Sequence, residues 1–183
     1  MAKDKDEIIL DPIEDTLLAQ GIHYLHGEIT EENISECVKW LLYEQFNSKK
    51  KKELTLYISS EGGDLYHAFA LIDIMNTSRH TITTVAIGPV MSAAFLIFIS
   101  GTKGSRLVGY NASLMCHQYS ATLESKHHDL KAAMHEGESC NERMINIITR
   151  SIGPDHVYEL LGASDVYLTA NEAINMGVAD GFI

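Results

Sequence analysis

LTLYISSEGGDLYHAFALIDIMNT, residues 54–77, carries the fold in miniature. Leu54 to Ile58 is a short apolar run that ends at Ser59-Ser60-Glu61-Gly62-Gly63, a turn composition. Asp64 to Thr77 then places Leu65, Ala68, Ile72 and Met75 on one face, the period of a helix. The unit is strand, glycine-rich turn, helix. Upstream, Gly21 to Leu25 reads as a strand, and Thr30 caps a helix whose first turn carries Glu31 and Glu32. Ile34, Cys37, Val38, Leu41 and Leu42 give that helix one apolar stripe to its end near Asn47. Downstream, Thr81 to Ile87 is a β-branched strand punctuated by Gly88-Pro89, and Met91 to Ser100 reads as a central buried helix. Two short strands follow, Arg106–Val108 and Leu114–His117.

A long helix is predicted from Ser125 to Ser151, with Leu130, Met134, Met144, Ile147 and Ile148 inward. Gly153-Pro154 opens a short helix to Leu161. Val166–Leu168 is a last strand before Thr169-x-x-Glu172, a capping-box pattern, and a helix stopped by Gly177. Strands alternating with helices make the chain α/β with βαβ-like crossovers. Its 183 residues fit one domain, and 45% hydrophobic against 21% charged residues is a globular composition.

A net charge of −11 argues against nucleic acid, because phosphate binding needs clustered cations. The one basic run, Lys49–Lys52, fits a solvated loop after a helix. Met1 to Glu7 alternates acid and base without a signal peptide's apolar core, and the longest apolar run, Ala93–Ile99, cannot span a bilayer. Three cysteines without CxxC spacing suit a reducing compartment. A cytoplasmic protein with no membrane and no nucleic-acid partner is expected.

Two glycine turns join a strand to a helix: Ser60 to Asp64 and Gly88 to Ala94. Neither is a phosphate loop, and the second is not a G-x-S-x-G elbow. Each, taken alone, is a tight turn whose helix N-terminus can hold an oxyanion. Ser92 enters a dry, apolar helix, where an attacking oxygen and the resulting oxyanion are stabilised; a plain N-cap is its simpler role. A nucleophilic serine needs a base and often a third group to orient that base. His117 ends a short strand and Asp165 begins another, and strand ends can converge at one edge of a sheet.

Six segments, taken together, resemble the proteolytic subunits of Clp proteases, the ClpP family of the ClpP/crotonase superfamily. They are Leu25-His-Gly-Glu-Ile29, Leu56-Tyr-Ile-Ser-Ser-Glu-Gly-Gly63, Met91-Ser-Ala-Ala-Phe-Leu96, Gly101-Thr-Lys-Gly-Ser-Arg106, Asn111-Ala-Ser-Leu-Met-Cys-His-Gln118 and Asp165-Val-Tyr-Leu-Thr-Ala-Asn-Glu-Ala173. Their order and spacing are the family's, from about Tyr24 to Ile183. The resemblance implies a ClpP/crotonase-like fold of repeated β-β-α units, with a handle of a strand and a long helix over about residues 119–150. It implies an N-terminal arm over residues 1–20 and one serine peptidase domain over residues 21–183. Ser92 matches the nucleophile, His117 the general base and Asp165 the carboxylate orienting it; Gly63 and Ala93 match the backbone donors of the oxyanion hole.

The implied activity is hydrolysis of peptide bonds in peptides and unfolded proteins, without metal or cofactor, ATP being used only by a partner unfoldase. The implied assembly is a homo-oligomer, a heptamer or a double-ring tetradecamer, with an AAA+ unfoldase or another ClpP-type subunit as partner. The chain departs from the family at three places, the first being Met1–Gln20, which lacks the family's N-terminal axial-loop pattern. Tyr119 to Leu123 stands where a proline and a glycine-rich stretch are usual, and Ser164 stands where an arginine usually precedes the aspartate. The latter two keep a second expectation alive, a catalytically weak or inactive accessory subunit that assembles with or modulates another ClpP ring. Three constellations rank below the triad: Cys116 with His117, which alternate to opposite faces of a strand; Ser92 with Lys103; and a metal on His127, His128, Asp129 and His135.

Overall fold

A computed structural model describes residues 12–120, 126–162 and 164–183. The first half runs α1 (Pro12–Ala19), β1 (Ile22–His26), α2 (Glu31–Asn47), β2 (Glu53–Ser60), α3 (Leu65–Thr77), β3 (Thr81–Met91) and α4 (Ala93–Ile99). The second half runs β4 (Arg106–Val108), β5 (Ser113–Cys116), α5 (His127–Ile152), α6 (Val157–Leu160), β6 (Val166–Thr169), α7 (Ala170–Asn175) and β7 (Gly181–Phe182). The α/β class is as the alternation predicts. Caps set several boundaries: Asn33 Oδ1 accepts from the Thr30 N–H at 3.0 Å, Asp64 Oδ1 from the His67 N–H at 3.0 Å, and Glu172 from the Thr169 N–H at 2.8 Å.

The sheet order is β1-β2-β3-β4-β7, all parallel, and β3 decides its shape. The first half of β3 pairs with β4 (Thr84 with Arg106), and its second half pairs with β5 (Pro89 with Ser113). β5 in turn carries β6 antiparallel. β3 is therefore longer than the sequence predicts, running through Gly88-Pro89 to Met91. Gly88 takes φ of 61° and the register with β2 slips between Ile58 and Ser60, an irregularity that accommodates a residue with no N–H.

That extension shortens the helix after it. Met91 is strand, and α4 keeps only Ala93 to Ile99, all seven residues buried. β3 is buried on both faces from Ile82 to Ala86, as a central parallel strand is, with the Thr83 and Thr84 hydroxyls hydrogen-bonded to Glu53 and to the Phe98 carbonyl. Ile34, Cys37, Trp40 and Leu41 of α2, with Leu71 and Ile72 of α3, complete the core around β1 and β2.

Three further differences have local causes. Pro12–Ala19, inside the predicted arm, is a helix whose Leu18 packs on the core; residues 1–11 lie outside the described residues. Met134 is 63% exposed on the N-terminal half of α5, while Met144 and Ile148 on its C-terminal half reach the core, where the helix packs against other helices. β7 is only two residues long, too short to show a period, yet it closes the sheet beside β4. Tyr119 and Ser120 are not in a strand, and the rest of the predicted handle strand, residues 121–125, lies outside the described residues. Among the described residues no helix is long and apolar enough to cross a membrane.

Candidate active site

Ser92 occupies the one-residue joint between β3 and α4 with φ of 54° and ψ of −122°. It is the one non-glycine residue with positive φ among the described residues, and such strain persists only where the surroundings enforce it. Here they do. The Ser92 N–H donates to the Met115 carbonyl of β5 at 2.9 Å, and its own carbonyl accepts from the Phe95 N–H at 3.0 Å. Its hydroxyl makes no capping bond to α4, so the plain N-cap role does not hold. The joint has the geometry of a nucleophile elbow without that motif's glycines.

The glycine that makes the elbow possible comes from the turn after β2. A Cβ on Gly62 would lie 2.7 Å from Ser92 Cβ and 2.9 Å from the Met91 carbonyl, so no side chain fits there. Gly62 is itself held: its N–H donates to Ser60 Oγ at 3.1 Å and its carbonyl accepts from the Ile29 N–H at 2.8 Å. Gly63 is as confined, since a Cβ on it would lie 2.5 Å from the Ile29 carbonyl. Sequence reasoning singled out Gly63 and missed Gly62. Two adjacent glycines signal a tight turn, but not which of them faces the serine.

His117 follows β5 and puts its Nε2 2.8 Å from Ser92 Oγ. Parallel pairing of β5 with the second half of β3 (Met91 with Met115) brings the two residues to one sheet edge. Asp165 comes to the same edge by the antiparallel ladder. Its last pair is Cys116 with Val166, so the next step sets His117 opposite Asp165. The Asp165 side chain is exposed, and among the described residues it makes no hydrogen bond to His117.

Ser92, Ala93, His117 and Gly63 line one cleft of about 230 Å³, walled by Leu65, Tyr66, Tyr119 and Met144. Ala93 is the first residue of α4, so its N–H has no partner within the helix. Among the described residues the Gly63 N–H meets no acceptor either. Two backbone donors thus border the space beside the serine oxygen. Beyond His117 the chain is tied by side chains that sequence reasoning did not reach. Gln118 Nε2 donates to the Leu161 carbonyl at 2.7 Å, and Asn141 Oδ1 accepts from the Tyr119 N–H at 2.9 Å.

The lower-ranked constellations fare differently. Cys116 is buried, and burial pushes its thiol up to about 12, against a smaller lowering by a hydrogen bond to the His117 backbone. It stays a thiol at neutral pH and does not pair with the imidazole. Lys103 sits in the exposed turn before β4 and does not line the cleft. The side chains of His127 and His128 lie outside the described residues, among which no group of three metal-ligating side chains is found.

A serine oxygen against an imidazole nitrogen, with two backbone donors nearby and an aspartate one ladder step away, is a constellation suited to acyl transfer. A protein-family model described as Clp protease matches residues 4–183 of the chain.

Proposed function

The chain belongs to the Clp protease family, and on that footing we propose that it is a serine endopeptidase subunit acting through Ser92, His117 and Asp165. The observation that carries this is the 2.8 Å approach of His117 Nε2 to Ser92 Oγ in a cleft bordered by Gly63 and Ala93. With its proton on Nδ1, the imidazole accepts the Ser92 hydroxyl hydrogen as the oxygen attacks a peptide carbonyl carbon. The oxyanion of the tetrahedral intermediate then takes hydrogen bonds from the Gly63 and Ala93 N–H groups. His117 returns the proton to the leaving amine, and a water, deprotonated by the same imidazole, releases the acyl group from Ser92. Every step uses side chains and backbone of this chain, with no cofactor.

Asp165 enters by rotation of its side chain toward Nδ1, from the position the β5–β6 register gives it. There it would hold the tautomer and stabilise the imidazolium. The walls contributed by Leu65, Tyr66, Tyr119 and Met144 suit an apolar side chain on the acyl side of the scissile bond. Substrates are peptides and unfolded proteins, and an AAA+ unfoldase that consumes ATP supplies the latter.

Assembly into a heptameric ring, alone or doubled, would enclose these clefts. It is supported by large apolar side chains left uncovered in the single chain: Tyr43 and Phe46 on α2, Met134 on α5 and Tyr158 on α6. The unbonded Asp165 carboxylate favours one second reading, a catalytically weak accessory subunit that modulates another ClpP-type ring. Hydrolysis of a fluorogenic peptide by the full chain, sized by light scattering, separates the two. The peptidase turns over as a ring-sized particle and loses activity in Ser92→Ala. A ring-sized particle without turnover of its own that changes the turnover of a ClpP-type partner, equally in wild type and Ser92→Ala, would leave the accessory subunit standing.

A further inference from the structure

His117 is held in place by the chain that follows it. β5 ends at Cys116, so no ladder bond fixes the backbone from His117 onward, and no carboxylate engages the ring among the described residues. Two tethers act in their place, on consecutive residues and toward different elements. Gln118 Nε2 donates to the Leu161 and Gly162 carbonyls at 2.7 and 3.1 Å, just past α6. The Tyr119 N–H donates to Asn141 Oδ1 at 2.9 Å, on α5.

The α5 side of this arrangement is spaced for it. Gly137, one turn before Asn141, leaves room for the Tyr119 ring: a Cβ there would lie 3.3 Å from Cε1 and 3.4 Å from Cδ1. Met144 lines the cleft itself. On the same stretch, Glu136 Oε1 accepts from the Tyr66 hydroxyl at 3.2 Å, and the buried Cys140 Sγ lies 3.6 Å from that hydroxyl. One stretch of α5 therefore supports both aromatic walls of the cleft. The Tyr119 N–H exists only because position 119 is not proline, which has no N–H to donate.

We propose that Asn141 is a positioning residue of the Ser92–His117 pair: by accepting from the Tyr119 N–H it fixes the peptide two residues beyond the imidazole, and with it the contact to Ser92. This rests on the assignment of Ser92 and His117 as nucleophile and base. Reaction geometry is sensitive to displacements of an ångström, so loosening this tether slows the chemical step more than it weakens peptide binding.

The test measures kcat and KM for a fluorogenic peptide, with thermal melting, on full-length wild type, Asn141→Leu, Asn141→Asp and Tyr119→Pro. Asn141→Leu removes the acceptor and is expected to lower kcat about tenfold while KM stays within about twofold. Asn141→Asp keeps an acceptor oxygen and restores most of the rate. Tyr119→Pro removes the donor and with it an aromatic wall of the cleft, so its kcat falls as in Asn141→Leu while its KM also rises; should the leucine variant not fold, the kcat of Tyr119→Pro carries the test. Combining the two adds no further loss, as expected for two ends of one bond. Wild-type kcat in Asn141→Leu and Tyr119→Pro would overturn the proposal. So would equal losses in the leucine and aspartate variants that follow a lowered melting temperature. A wild-type chain without Ser92-dependent turnover overturns the underlying assignment and this inference with it, whereas active, indistinguishable variants overturn the inference alone.

Discussion

The two sides of the cleft are built in different ways. Ser92 stands on the central strand β3 and opens a helix whose seven residues are all buried, with Gly62 packed against it. Its positive φ cannot relax without moving β2, β3 and α4 together. His117 and Asp165 stand just beyond β5 and before β6, each only four residues long, on the outer flank of the sheet. There the ladder has ended, one side chain is half-buried and the other exposed, and a few hydrogen bonds, to α5 and to the turn after α6, hold the chain. The proposed nucleophile is a property of the core. The proposed base and its carboxylate are set by what packs on the outer strands, where local motion is cheapest.

The sharpest way to break this contrast is Asp165→Asn. If the carboxylate closes on His117 in the working particle, kcat falls by about 10⁴, the loss typical of a triad with the wrong tautomer. Retained peptide hydrolysis would show instead that the unbonded arrangement is the working one and that the tethers beyond His117 suffice.

On the rigid side, Gly62→Ala is expected to be severe, on the order of 3 kcal/mol of stability, since its Cβ meets Ser92 Cβ at 2.7 Å and its φ is 104°. A denaturant titration measures it. An alanine variant with wild-type stability would mean that the elbow is not enforced by its neighbours.

A smaller effect sharpens the comparison from the other half of β3. Arg106 of β4, with its side chain 3% exposed, pairs with Asp180 at 2.6 Å, away from the cleft. Burial alone would raise the Asp180 carboxyl, but hydrogen bonds from Arg106 and Gly104 prevail and hold it below its ordinary value. A depressed folded-state value adds stability above the unfolded-state carboxylate value, and that stability is lost as pH falls through the folded one. Asp180→Asn should therefore cost about 2 kcal/mol at neutral pH and flatten the acid limb of the melting curve. Peptide turnover of the folded variant should stay within about twofold, because neither side of the cleft is touched.

The same contrast explains what was legible in the sequence. Elements with a full period and caps could be read: the α2 stripe from Ile34 to Leu42 behind its Thr30 cap, and the Thr169–Glu172 box. Ser92 and His117 could be picked out as candidates, one at the entry of an apolar helix and the other at a strand end, and Gly63 by the family resemblance. Gly62 could not, since its constraint is the distance to a serine thirty positions away. β3 hid its last turn of pairing behind Gly88-Pro89, whose local chemistry says turn while the β5 ladder says strand. Met134 fits the apolar period of α5, yet the side chains that reach the core, Met144 and Ile148, lie on the other half of the helix. The Tyr119–Asn141 bond joins a backbone donor to a side chain, and no spacing rule announces such a pair.

The most direct test of Ser92 as an activated nucleophile is reaction of the full chain with a fluorophosphonate, followed by mass-spectrometric mapping of the adduct. The account predicts one adduct per chain, on the peptide containing Ser92, absent in Ser92→Ala and strongly slowed in His117→Ala. A folded, assembled chain that gains no adduct, or gains it on another serine, would contradict it.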